Sequence, residues 1–122
     1  MNTRTVSDVI VIGAGVAGAS VALRLADAGR HVTVLARHAL EDSASNQAMG
    51  GIAAAIGPDD SPALHLADTL AAGGELCREA TVRGVVERAP AAIEWLLAQG
   101  VAFDRDGDAL DLTQEGAHSR RR

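Results

Sequence analysis

The stretch that most constrains this chain is Asp8 to Gly29, DVIVIGAGVAGASVALRLADAG: four Val or Ile residues, glycines at 13, 15 and 18, and a helix-patterned segment. Val9 to Ile12 read as a buried strand, and the chain is expected to turn tightly at Gly13. Gly15 lacks a Cβ and lets the backbone come close to a pyrophosphate, while Gly18 lets the following helix pack closely. The helix N-terminus adds unpaired N–H donors and a partial positive charge, both of which favour a phosphate.

A G-x-G-x-x-G run means little without its context, which is present here. The apolar run precedes it, the helical pattern continues through Leu25, Gly29 ends it, and HVTVLA (His31 to Ala36) supplies a second strand that closes a βαβ unit. A dinucleotide is the expected ligand. At the end of strand two, where such folds place an Asp or Glu on the ribose hydroxyls, this chain has Ala36 followed by Arg37. A cation there suits the 2′-phosphate of NADP, the adenosine end of another dinucleotide, or solvent, and the motif alone leaves these open.

Composition narrows the chemistry. The 122 residues suit one domain at most, with 48% hydrophobic residues for a core. The 11 cations are all Arg, against 16 acids. That rules out Schiff-base lysine chemistry and a Walker-type lysine, and it argues against a nucleic-acid partner. The single cysteine, Cys77, cannot form an internal disulfide and reads as a small buried apolar residue, which fits a reducing compartment, the cytoplasm. The apolar run beginning at Val9 passes straight into the glycine loop and does not look like a signal peptide. No run approaches the roughly 20 apolar residues of a membrane span.

Met1 to Ser7 is a polar lead-in. Farther along, Ser61 to Cys77 reads as a helix with Ser61 as N-cap, Pro62 at the first position, and Leu64, Ala67, Leu70 and Ala71 at helical spacing before Gly73 and Gly74. His65 and Asp68 lack metal-ligand spacing and read as surface or structural residues, so no metal is expected. Glu79 to Gln99 is helical, with Val82, Val85, Val86, Ile93, Leu96 and Leu97 as its apolar face. Pro90 predicts a break near Arg88 to Pro90, Trp95 is expected in the core, and Gly100 stops the second piece. The acids between Val101 and Leu112 do not follow a calcium loop; Asp106-Gly107 between apolar flanks predicts a hairpin turn.

Between these parts lies Glu41 to Gly57, EDSASNQAMGGIAAAIG, a polar loop, a glycine pair and a run of small residues. Hydroxyls, amides and small residues beside paired glycines suit a backbone laid against a flat ring or a phosphate. Taken together, the glycine fingerprint, VTVLAR, SASNQAMGGIAAA, DDSPALHLADTLAAGGELC, AIEWLLAQGVAFDR and LTQEGAHSRRR resemble the L-aspartate oxidase branch of a flavoprotein family. That family also holds the flavoprotein subunits of fumarate reductase and succinate dehydrogenase. The resemblance runs from Asp8 onward.

It implies an α/β fold, a Rossmann-type FAD-binding βαβ start over residues 8–57, then a helical insertion and the start of a substrate-side segment over 58–122, incomplete relative to the family. FAD is the implied cofactor, contacted by Gly13, Ala14, Gly15, Val16, Ala17, Gly18 and Arg37 and by the loop residues Ala44, Ser45, Asn46, Gln47, Ala48, Met49, Gly50 and Gly51. NADP becomes the runner-up. The respiratory members attach flavin covalently through a histidine seven residues before the second glycine; Ala44 stands there and cannot form that bond, so FAD is expected to be non-covalent. Met49 replaces the usual Gln, and a thioether is a poor substitute for an amide in a hydrogen bond to the flavin. Glu115 in LTQEG is the implied substrate residue, beside L-aspartate. The catalytic arginine is expected outside this chain, and Arg120 to Arg122 resemble the family's S-x-R-R segment. The implied reaction oxidises L-aspartate to iminoaspartate with oxygen or fumarate as acceptor, the first step of de novo NAD biosynthesis. A sister succinate or fumarate flavoprotein and a non-catalytic fragment are the rival readings.

Overall fold

The computed structural model describes residues 6–39, 42, 45–48 and 50–122. The chain forms two compact units, Met1–Gly50 and Gly51–Arg122.

In the first unit, β1 (Val9–Ile12) and β2 (Val32–Leu35) pair in parallel, Val9 opposite Val32 and Ile12 opposite Leu35, with α1 (Val16–Asp27) as the crossover. Both strands are rich in β-branched residues, which suit a pleated surface. The pair is tied at its start by the Asp8 amide donating to the His31 carbonyl at 2.8 Å and the His31 amide to the Asp8 carboxylate at 2.9 Å. At its far end the Gly13 amide donates to the Leu35 carbonyl at 2.9 Å. α1 closes in a Schellman turn: the Arg30 amide reaches the Leu25 carbonyl at 3.0 Å and the Gly29 amide the Ala26 carbonyl at 2.8 Å, with Gly29 at φ +75°.

Strand one departs from the expected burial. Val9 and Val11 are partly covered, but Ile10 is 60% and Ile12 86% exposed. A parallel strand is buried only when both faces of its sheet are covered, and within this unit α1 is the one helix described.

The second unit holds α2 (Pro62–Gly73), a single 3₁₀ turn (Gly74–Leu76), α3 (Glu79–Val86), α4 (Ala89–Ala98) and a hairpin of β3 (Arg105–Asp106) with β4 (Ala109–Leu110). Ser61 caps α2, its hydroxyl accepting from the Leu64 amide at 3.3 Å, with Pro62 at the first position as expected. The break before Pro90 falls where predicted, and Gly100 at φ +86° ends α4 in a second Schellman turn, the Val101 amide on the Leu96 carbonyl at 3.1 Å. The hairpin's two-residue loop is Gly107-Asp108, with Gly107 at φ +59°, so glycine takes the first central position of the turn.

Ala54, Leu66, Val86 and Ile93 form the buried apolar core. Two expectations, for Val85 and Trp95, are corrected here. α2 buries His65 and Leu66, whereas Leu64, Ala67 and Ala71 are exposed and Leu70 is half-buried. On the same helix Asp68 is tied to Arg122 by an ion pair and to Ser119 by two hydrogen bonds. Val85 is 61% exposed, because Val86 supplies the inward contact of the short α3. Trp95 is half-buried and Ile93 takes the core place on α4. Among the described residues no helix is long and apolar enough to cross a membrane, and no group of three His, Cys, Asp or Glu could hold a metal ion.

Candidate functional site

The glycine turn between β1 and α1 is built by backbone constraints. Gly13 sits at φ +108°, a conformation that side chains rarely adopt, and this turns β1 into the helix start. A Cβ at Gly18 would overlap the Gly13 carbonyl oxygen and touch the Val11 side chain at 3.4 Å. The third glycine thus lets α1 sit directly on the turn. Gly15 is extended (φ −71°, ψ 179°), so its value is space rather than conformation: a Cβ would lie 3.1 Å from the Ser45 hydroxyl.

Gly15 is the N-cap of α1 and offers no side chain to its first amides. The Val16 amide donates instead to the Ser45 hydroxyl at 3.0 Å. An oxygen acceptor therefore already stands at the positive end of the helix, the type of atom a phosphate would present there. Beside it, Gly13, Ala14, Ala36, Arg37, His38, Ala39 and Asp42 line a cleft of about 200 Å³. That volume takes part of a dinucleotide, one end of it. Arg37 is exposed at this cleft, while Ala17 lies in the first turn of α1.

These residues fit the group that the sequence implies, because the Val16 amide at the helix start takes an oxygen acceptor and Gly15 leaves that acceptor room where a Cβ would come within 3.1 Å of it. Of the loop residues, Ser45 is brought to the glycine turn. Asn46, Gln47, Ala48 and Gly50 are exposed, Gly50 at φ +145°, and Gly51 begins the second unit. Ala44 and Met49 lie outside the described residues. His38, Ala39 and Asp42 line the cleft without having been singled out in the sequence; their place directly after strand two was the available signal.

In the second unit, Glu115 is exposed in a loop closed on itself: the Arg122 amide donates to the Thr113 carbonyl at 2.9 Å and the Thr113 amide to the Arg122 carbonyl at 3.3 Å. Arg122 is buried with a two-pronged grip on Asp60, Nε to Oδ2 at 2.7 Å and Nη2 to Oδ1 at 3.0 Å, and its Nη1 reaches Asp68 Oδ2 at 2.7 Å. Ser119 gives Asp68 Oδ2 two further bonds of 2.8 Å, from its amide and its hydroxyl. The Ser119 amide first, and then the Arg122 guanidinium, hold the Asp68 carboxyl down at about 2. Arg120 pairs with Asp59 at 3.5 Å, and Arg121 Nη1 donates to the Leu112 carbonyl at 3.0 Å. The spacing of Asp68 suggests a surface or structural residue, and nothing local signals that it and the acids of PDDS are counter-charges of the arginine run.

A parallel strand pair with a helical crossover and a glycine turn shaped for an anion defines a nucleotide-binding α/β protein. The sequence profile of the FAD binding domain family matches residues 8–122, and the chain belongs to that family. FAD is the cofactor of the family, as the motifs imply.

The L-aspartate oxidase of Neisseria meningitidis serogroup B is 49% identical over 119 residues, covering 98% of this chain and 24% of the relative. That of Mesorhizobium japonicum is 54% identical over 115 residues, covering 93% and 22%. The chain thus spans about a quarter of the length of the curated relatives it matches. Among solved structures, the Mycobacterium smegmatis Sdh1 complex in the apo form superposes with a TM-score of 0.86 at 30% identity, over 95% of this chain and 20% of that one. The E. coli quinol fumarate reductase FrdA gives 0.83 at 28% identity with the same coverage.

Proposed function

We propose that this chain supplies the FAD-binding start of an L-aspartate oxidase, acting in the cytoplasm at the first step of de novo NAD biosynthesis. The observation that supports it most is the glycine cradle at Gly15 and Ser45, found in a chain that is about half identical to L-aspartate oxidases over nearly its whole length. The main-chain amides at the start of α1 would hold the pyrophosphate. Arg37 would lie toward the adenosine end. Ser45 would lie beside the pyrophosphate at the helix start, and Asn46, Gln47, Ala48, Gly50 and Gly51, with Ala44 and Met49, would lie along the flavin.

FAD, when bound, supplies the acceptor for the hydride that leaves the Cα of L-aspartate, while the amine loses a proton and iminoaspartate results. Oxygen or fumarate would serve as the final acceptor. Glu115 is the group of this chain that we assign to the substrate. Its carboxylate beside the α-ammonium favours aspartate over succinate by charge complementarity. The likeness to Sdh1 and quinol fumarate reductase supports a second reading, a sister dicarboxylate flavoprotein, which differs in that preference.

The test joins this chain to the remaining part of the Neisseria meningitidis relative. Acid precipitation should release all the flavin and leave a colourless pellet, since Ala44 offers no attachment. Glu115→Gln should lower L-aspartate oxidation more than fumarate reduction. Equal loss of both, or oxidation of succinate in preference to aspartate, would turn the assignment to the sister flavoprotein.

A further inference from the structure

The loop carrying Glu115 is held from one side by α2. Within 113–122 the His118 amide donates to the Glu115 carbonyl at 2.9 Å, and Gln114 Nε2 to the His118 carbonyl at 2.9 Å, so Glu115 begins a tight turn. The next residue after that turn, Ser119, is the one fastened to Asp68, and Arg122 closes the loop on Thr113 while its guanidinium spans Asp60 and Asp68. One oxygen, Asp68 Oδ2, takes three donors. Asp68 is 16% exposed at its side chain, and Arg122 and Asp60 are fully buried at theirs. Nothing in the helix itself needs this carboxylate, since its three hydrogen bonds all go to the loop.

We propose that Asp68 is a positioning residue for Glu115: by gripping Ser119 and Arg122 together it fixes the 113–122 turn, and so the place at which the Glu115 carboxylate meets the substrate. The inference rests on Glu115 lying at the substrate, as read above. Asp68 touches no reactant. Its effect is a matter of where Glu115 stands, so its loss should act on recognition of the amino group and not on the electron-transfer steps.

Two measurements test this. In the 122-residue chain, Asp68→Asn should speed amide hydrogen exchange at His118 and Ser119 by about tenfold or more, the size of a lost hydrogen bond to a charged acceptor, with Val86 and Ile93 unchanged. Unchanged exchange in the loop, or acceleration spread equally to Val86 and Ile93, overturns the proposal. In the same chain joined to the rest of the Neisseria meningitidis relative, Asp68→Asn should raise KM for L-aspartate roughly tenfold and leave KM for fumarate unchanged, and adding it to Glu115→Gln should raise KM no further. If Glu115→Gln raises KM for aspartate while Asp68→Asn does not, or if the two effects add, Asp68 does not act through Glu115. If Glu115→Gln itself leaves KM unchanged, the substrate reading falls first and this inference falls with it.

Discussion

The three glycines of the turn do three different physical things, and single substitutions separate them. Gly18→Ala places a methyl inside the Gly13 carbonyl oxygen, a backbone atom that cannot turn away, so α1 must lift off the turn. We expect a loss of about 1–3 kcal/mol, as for other overpacked sites, read as an earlier thermal transition by far-UV circular dichroism. Gly15→Ala meets the Ser45 hydroxyl at 3.1 Å, a side chain that can rotate. Its transition should stay near that of the parent chain, while FAD binding, followed by quenching of flavin fluorescence, weakens because the cradle is filled. Equal effects of the two alanines on folding would show that the space at Gly15 serves packing and not a ligand.

At the scale of elements, α2 carries an inner face that titrates. His65 is 8% exposed, its Nδ1 has no hydrogen-bond partner among the described residues, and its ring meets that of His118 edge-on at 6.2 Å. Burial first, then the Arg122 charge, pushes its pKa below the usual 6.5; His118 adds to this, and Asp60 and Asp68 oppose it. The unfolded chain therefore binds the proton more readily than the folded one, and stability is full above about 6.5 and falls as the pH drops below it. Asp68 adds a second loss of the same sign between 3.8 and about 2. Thermal midpoints should fall from pH 7.5 to 5.5, and His65→Leu should flatten that slope; an unchanged slope would place the acid sensitivity elsewhere. The inner face of α2 also shows where sequence reading stops. β1, the glycine turn, the Ser61 cap, the break at Pro90 and both glycine helix ends were legible because each depends on neighbouring residues. The inner face of α2 was not, because its polar partners, Ser119 and Arg122, lie 51 and 54 residues from Asp68. Apolar periodicity cannot report a partner that distant. The glycine cradle was legible, while the cleft residues His38, Ala39 and Asp42 follow from the path of the chain after β2.

At the scale of the molecule, the exposed Ile10 and Ile12 are apolar surface that water disfavours, on a strand pair with open edges. We expect the 122-residue chain on its own to associate as its concentration rises, to give no FAD-dependent peroxide with L-aspartate above a control without it, and to stay dispersed longer as Ile10→Thr/Ile12→Thr. Sedimentation velocity and a peroxide assay check this; a monomer at all concentrations, or sustained turnover, would contradict it. The clamp on Arg122 has a further consequence, in time rather than in space. During synthesis Asp60 and Asp68 leave the ribosome 62 and 54 residues before the guanidinium that neutralises them. Until it arrives, Asp68 on α2 and Asp60 just ahead of the helix lack the cation that they face in the folded unit. These contacts therefore cannot form during synthesis until α2, α3 and α4 have all been made.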